Sequence, residues 1–314
     1  MELDNYIQID SEYLQNQKFE AVLVVSNFES RCTYLASKIN IEKIPLRIAL
    51  AFSEHEKILA CRKNDEKLQE KGFQFHKTSI GDTSSLSTIF EPFKKCHAEK
   101  TKNILVDFTC MPKVWYQEVI DYFTALECEV PNLDIWFAYS PAVYHKTPSC
   151  SGKISKDRMP KLPGKKPVAL IIGIGTDQDC ALDAMNALNP DVVYTYLANT
   201  DIDNRYTADV IARNEKLMRK IAPDKVVQYP MQDISLLSKL LTNQSVNLRT
   251  SHDVVLLPLG PKPFSLVCSV LASRFPDIHF WNIPTSISSN PVDKKPFGDI
   301  VLYKVSFTSE EVDY

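Results

Sequence analysis

Two lysines stand in matching contexts, in DFTCMPK (107–113) and LPLGPKPFS (257–265). Each stretch follows an apolar run and sets a proline-stiffened turn ahead of a lysine, Lys113 or Lys262, that opens a helix. A full positive charge added to the partial charge of a helix start suits phosphate or carboxylate better than an apolar ligand. In the first stretch Asp107 ends the apolar run and can pair with Lys113; the second stretch carries Pro258 at that point. Thr109, Gly260 and Ser265 complete the two turns.

Two further turns follow apolar runs. SNFESR supplies Ser26, Asn27, Glu29 and Arg31, and GIGTDQD supplies Gly173, Gly175, Thr176, Asp177 and Asp179. Ser26 and Thr176 are expected to cap the helices that follow, whose N–H groups favour anions. GIGTDQD lacks the third glycine of a dinucleotide fingerprint, with Gln178 there instead, and no phosphate-loop motif occurs. Arg205, in the run Asn199, Asp201, Asp203, Asn204 and Arg205, is a phosphate-binding candidate. Asp107 and Glu29 are the acid–base candidates, although no nucleophile–base pair is visible. None of the six histidines falls on a strand-end motif.

These turns need strands to hold them. Apolar runs at Ala21, Leu46, Phe73, Asn103 and Leu133 alternate with polar stretches of helical spacing, which argues for parallel strands with crossover helices. Runs at Val168, Asp191, Lys225, Asp253 and Asp277 repeat the order, and Asp299 starts a last strand assigned to the second half. CRKNDEKL is answered by ARNEKLM, Asp82 by Asp233, Lys113 by Lys262 and Trp136 by Trp281, at offsets of 145 to 151 residues. This reads as a duplication. The expected organisation is an extension over 1–20, an α/β domain over 21–145, a basic linker over 146–167 and a second α/β domain over 168–314. From Lys146 to Lys166 six lysines and one arginine oppose one aspartate, either as a solvated linker or as a strap over an anion.

A 314-residue chain with 44% hydrophobic and 24% charged residues has room for two cores. A formal net charge of -3 gives no overall basic excess for a nucleic-acid duplex. Its N-terminus reads as neither a signal nor a transit peptide, no apolar run is long enough to span a membrane, and the expected location is the cytoplasm. The eight cysteines form no C-x-x-C pair and read mostly as buried small hydrophobes; no metal or resident cofactor is expected.

A strand, a Gly/Ser/Thr-rich turn and a lysine opening a helix together resemble the ligand motif of CARF-type domains, the CRISPR-associated Rossmann-like sensors. The combination of SxFExR, DxxxMPK and LGPKP also resembles a family of bacterial defence-island proteins, from about Ala21 to Phe307. The resemblance implies two tandem Rossmann-like (CARF-like) domains, each a mainly parallel sheet flanked by helices. It implies a nucleotide-derived ligand lined by 26–31, 173–179, 109–113 and 260–265, held between the halves, with Lys113 and Lys262 facing one cavity. CARF-type sensors usually pair two chains and carry an effector domain; here both halves share one chain and no effector motif is evident. Three functions stay open: a ligand-sensing subunit of an antiviral defence system, a nucleotide- or nucleic-acid-processing hydrolase using Asp107 and Glu29, and a structural subunit that binds a protein encoded nearby.

Overall fold

The computed structural model describes residues 2–55, 58–94, 101–125, 132–146, 159–200, 204–283 and 292–308. The chain divides into two compact units, Met1–Val143 with Pro291–Tyr314, and Tyr144–Asn290. Both are mixed α/β, each with its own helix-flanked sheet.

The first unit runs β1 (Glu2–Ile9), α1 (Tyr13–Asn16), β2 (Ala21–Ser26), α2 (Tyr34–Lys38), β3 (Leu46–Phe52), α3 (Leu59–Glu70), β4 (Gln74–Thr78), α4 (Leu86–Lys94), β5 (Thr101–Asp107), α5 (Val114–Thr124) and β6 (Asn132–Tyr139). The second unit follows with β7 (Val168–Gly173), α6 (Cys180–Leu188), β8 (Val192–Asn199), α7 (Asn204–Arg213), α8 (Glu215–Met218), β9 (Val226–Pro230), α9 (Ile234–Arg249), β10 (Asp253–Pro258), α10 (Lys262–Arg274) and β11 (Ile278–Phe280). The chain then returns to the first unit as β12 (Val301–Thr308).

The second sheet has the order β11-β10-β7-β8-β9 and is parallel throughout. The first sheet has the order β1-β12-β6-β5-β2-β3-β4. Its segment from β6 to β4 is parallel and repeats the second sheet's order strand for strand. In each sheet the first parallel strand is central, and the winding reverses beside it, between β2 and β5 and between β7 and β10. Such a reversal opens a crevice at the carboxyl ends of the strands. Every residue of β2 and β10 is buried, as a strand covered on both faces requires.

Two expectations about organisation are corrected. The last strand belongs to the first unit, where β12 pairs antiparallel with β6 along eight residues, from Val301 opposite Tyr139 to Thr308 opposite Asn132. The edge of β6 offers a full-length ladder, whereas β11 has three residues. The N-terminal extension is likewise an edge strand, β1, paired antiparallel with β12. A register shift between Leu3 and Asn5 breaks its period-two alternation and hides it in the sequence. Part of the expected linker packs as well: Met159 and Leu162 lie against the second core, and Lys166 donates to the Arg249 carbonyl at 2.7 Å. Residues 147–158 fall outside the described residues.

Leu302 of β12 is fully buried in the first core with Val24, Leu105 and Trp136. Leu302→Ala is therefore expected to destabilise the first unit by about 2–5 kcal/mol. Hydrogen exchange read by peptide should show lost protection in β2, β5 and β6 and unchanged protection in β7 and β10.

Candidate functional site

At the carboxyl edge of the first sheet, β2, β3, β4 and α3 surround a cleft of about 170 Å³. It is lined by Ser26 at the end of β2, Phe52 at the end of β3, His55 in the single helical turn that follows, Arg62 and Asp65 on α3, and Lys77 on β4. Helical spacing brings the α3 groups together, since residues three and four apart share a face. Asn64 and Leu68 are buried, Cys61 is buried in the cleft wall, and Arg62 and Asp65 stay accessible to the cleft.

The Ser26 hydroxyl donates to Asp65 Oδ1 at 2.5 Å, the short range of an O–H to carboxylate bond. One position earlier, Asn64 is buried and its Nδ2 donates to the carbonyls of Asn27 at 2.7 Å and Glu29 at 3.3 Å. These bonds fix the turn after β2 against α3. Arg62 has no hydrogen-bond or ion-pair partner among the described residues.

His55 is buried edge-on against Phe28, with ring centroids 5.4 Å apart, and against Phe52, 6.3 Å away. Burial lowers its pKa, and the charges of Glu54 and Glu29 only partly oppose that. The ring is thus neutral near pH 7, and its Nδ1 has no hydrogen-bond partner among the described residues. The Cys61 thiol, also in the lining, is pushed up to about 11 by burial, with Asp65 adding to the effect. Burial pushes the neighbouring Cys32 up to about 12. Neither thiol is a thiolate at neutral pH.

Beside the cleft lies a second network, which collects most of the first-unit residues singled out in the sequence. Arg31 Nε donates to Glu29 Oε2 at 2.5 Å, and its Nη1 reaches the Ser140 carbonyl at 3.1 Å and the Tyr139 hydroxyl at 3.4 Å. Ser140 N donates to Thr109 Oγ1, and Thr109 N to Asp107 Oδ1, each at 2.9 Å. Glu29, Arg31, Thr109 and Asp107 are all buried. They tie the turn after β2 to the ends of β5 and β6. The returning segment ahead of β12 joins them: Ser30 N donates to Asp293 Oδ1 at 2.6 Å, and Lys294 Nζ lies 3.8 Å from Glu29. The two acid–base candidates are thus held in loop-bracing bonds.

In the second unit, the candidate residues hold the chain in place. A Cβ on Gly173 would stand 2.4 Å from the Phe264 ring, and one on Gly175 would stand 2.1 Å from the Leu259 carbonyl oxygen. Gly260 faces the Ile174 carbonyl in the same way, at 3.2 Å. These glycines let the turns after β7 and β10 cross closely. Neither Ser26 nor Thr176 caps a helix: the N-cap positions belong to Glu29 and Asp179, without side-chain capping bonds. The Thr176 carbonyl instead accepts from Arg213 at 3.1 Å, and Asp179 pairs with Lys216 at 3.0 Å. Ser265 is buried inside α10, Arg205 is exposed on the first turn of α7, and Asp177 is half-buried. Lys113 is the N-cap of α5 and Lys262 begins α10; both are half-buried. Asp201 and Asp203 lie outside the described residues, as do Cys96, Cys128 and Cys150.

The other landmarks of the expected duplication resolve differently. Asp82 and Asp233 both cap the turn after the third strand, accepting from Ser84 N at 3.1 Å and Leu236 N at 2.8 Å. Asn214 repeats the role of Asn64, donating to the Gly175 carbonyl at 2.8 Å. Trp136 lies within β6, but Trp281 lies one residue beyond β11, so the fifth strands do not correspond there.

Among the described residues no group of three or more His, Cys, Asp or Glu could hold a metal ion, and no helix is long and apolar enough to cross a membrane. Neither a protein-family model nor a curated protein matches the chain.

Sequence reasoning missed His55, Arg62, Asp65 and Lys77. The available signal was the polar face of CRKNDEKL, on the helix that follows the second strand.

Two outcomes follow. Because folding lowers the His55 pKa, the unfolded chain takes up the proton first. The stability held above about pH 6.5, the unfolded histidine value, is lost as pH falls through the folded value. Thermal melts from pH 7.5 to 5 should show a smaller loss of Tm in His55→Gln than in the parent chain. Gly175→Ala, whose Cβ has no room, should cost about 1–3 kcal/mol in urea unfolding of the second unit.

Proposed function

We propose that the protein binds a phosphorylated, nucleotide-derived small molecule in the cleft of its first unit and acts as a sensing module. On this reading the two units are tandem Rossmann-like domains. The matching strand order and the reversal beside β2 and β7 support that assignment. The resemblance to CARF-type sensors extends the proposal to a cytoplasmic role in bacterial antiviral defence, with oligoadenylates among the ligands to be tried.

The observation that carries the reading is the position of Arg62 and Lys77, two cations lining one cleft at the carboxyl edge of a parallel sheet. A guanidinium offers paired donors to phosphate oxygens and an ammonium adds a point charge. The buried Ser26 and the Asn64 clamp hold the surrounding backbone, so the site is largely formed before a ligand arrives.

Isothermal titration of the chain with AMP, ADP and linear and cyclic oligoadenylates tests this. Saturable binding is expected from at least one of them. Arg62→Ala and Lys77→Ala should each weaken it by about tenfold, equivalent to about 1.4 kcal/mol, and added salt should weaken it further. Binding unchanged in the double variant, or no binding from the whole set, overturns the proposal.

A further inference from the structure

The same cleft holds a carboxylate, and a carboxylate beside a phosphate site needs a reason, because it repels the anion that Arg62 and Lys77 attract. Asp65 is half-buried in the lining, and one oxygen is occupied by the buried Ser26 hydroxyl at 2.5 Å. A carboxylate has about four acceptor positions, and Ser26 uses one. That bond fixes the side chain while leaving acceptor capacity on the cleft side. Four features then sit in one place: two cations, an anchored hydrogen-bond acceptor, the apolar ring of Phe52, and a neutral His55 whose Nδ1 has no partner among the described residues.

We infer that the cleft selects a ribose phosphate, with the phosphate on Arg62 and Lys77 and a sugar hydroxyl donating to Asp65. The inference rests on the anion-binding reading above and adds the sugar to it. Volume points the same way. Sites for drug-sized ligands enclose about 300–1,000 Å³, and about 170 Å³ suits one sugar phosphate, with any base or further nucleotide outside. Charge supplies the selectivity. A ligand with a hydroxyl gains a charge-assisted hydrogen bond at Asp65, while bare phosphate meets only repulsion there. Asp65 is thus a specificity-determining residue and Ser26 its positioning residue.

Titration of the unmodified chain with ribose 5-phosphate, 2-deoxyribose 5-phosphate and inorganic phosphate tests this without any variant. Ribose 5-phosphate is expected to bind about tenfold more tightly than the deoxy sugar, a difference of about 1.4 kcal/mol, and inorganic phosphate most weakly. Asp65→Asn and Asp65→Ala, checked for folding by circular dichroism, should bring the ratio of the two sugars close to one. Arg62→Ala should weaken both sugars equally and leave the ratio intact, an effect that a general loss of structure would not give. Equal affinity for the two sugars in the unmodified chain, with Arg62→Ala still weakening both, overturns the hydroxyl reading and leaves the anion site standing. No binding by any of the three while a nucleotide of the earlier set still binds overturns the ribose phosphate reading alone, and no binding by either set overturns both.

Discussion

Asn64 donates from one amide to the carbonyls of Asn27 and Glu29, and Asn214 does the same for Gly175. A chain leaving a central parallel strand loses its ladder partners while still buried, and each carbonyl left unpaired there costs about 1–3 kcal/mol. A side-chain amide in the helical segment after the second strand, on α3 for Asn64 and between α7 and α8 for Asn214, satisfies that need from outside the sheet. In the first unit the consequence goes beyond stability, because Asp65 follows Asn64. Asn64 docked on the turn stands next in the chain to Asp65, whose carboxylate meets Ser26. The shape of the candidate site thus derives from a backbone constraint common to both units.

The units answer that constraint with different turns. After β2 the turn carries Asn27, Phe28, Glu29 and Arg31, and it is braced by side chains, including the buried Glu29–Arg31 pair. After β7 it carries Gly173 and Gly175, and it is braced by close backbone approach to Leu259 and by the Phe264 ring. A turn built on side chains leaves room for polar lining groups nearby, as the Ser26–Asp65 contact shows. A turn built on glycine consumes the space a side chain would occupy. The glycines of GIGTDQD, expected to line a ligand, stand in close contact with Phe264 and Leu259.

The central strands, such as β2 and β10, were legible because strands buried on both faces read as continuous apolar runs; the half-exposed β4 and β9 were legible from their place in the repeated order. Membership of β12 was not legible. Its alternation marks a strand, but nothing local states that its partner is β6, more than 150 residues earlier in the chain. β1 was lost to its irregular register. For the site, position in the fold was legible and commitment was not. Turn residues after strands were chosen, and the structure shows many of them bound to one another. His55, Arg62, Asp65 and Lys77 come from three separate segments, and only the pairing of β2, β3 and β4 brings those segments together. Asp82 and Asp233 were recognised as equivalent, but their shared role is helix capping, for which aspartate is selected by backbone need.

Burial separates the carboxylates that hold the first unit together from the one available to a ligand. Glu29 is buried against Arg31, and burial opposes the guanidinium charge while Tyr139 and Glu29 more than restore it, so the arginine stays charged. Removing Glu29 would leave the buried guanidinium uncompensated, a loss of about 3–5 kcal/mol, which ties the pair to the fold. Asp107 is buried at the end of β5 and accepts from Thr109 N. Asp65 differs in kind: its anchor is a neutral hydroxyl, its charge is not cancelled by the Ser26 bond, and one side faces the cleft. A carboxylate held by a serine keeps both its charge and its remaining acceptor positions, and those are the properties that recognition of a hydroxyl-bearing anion requires.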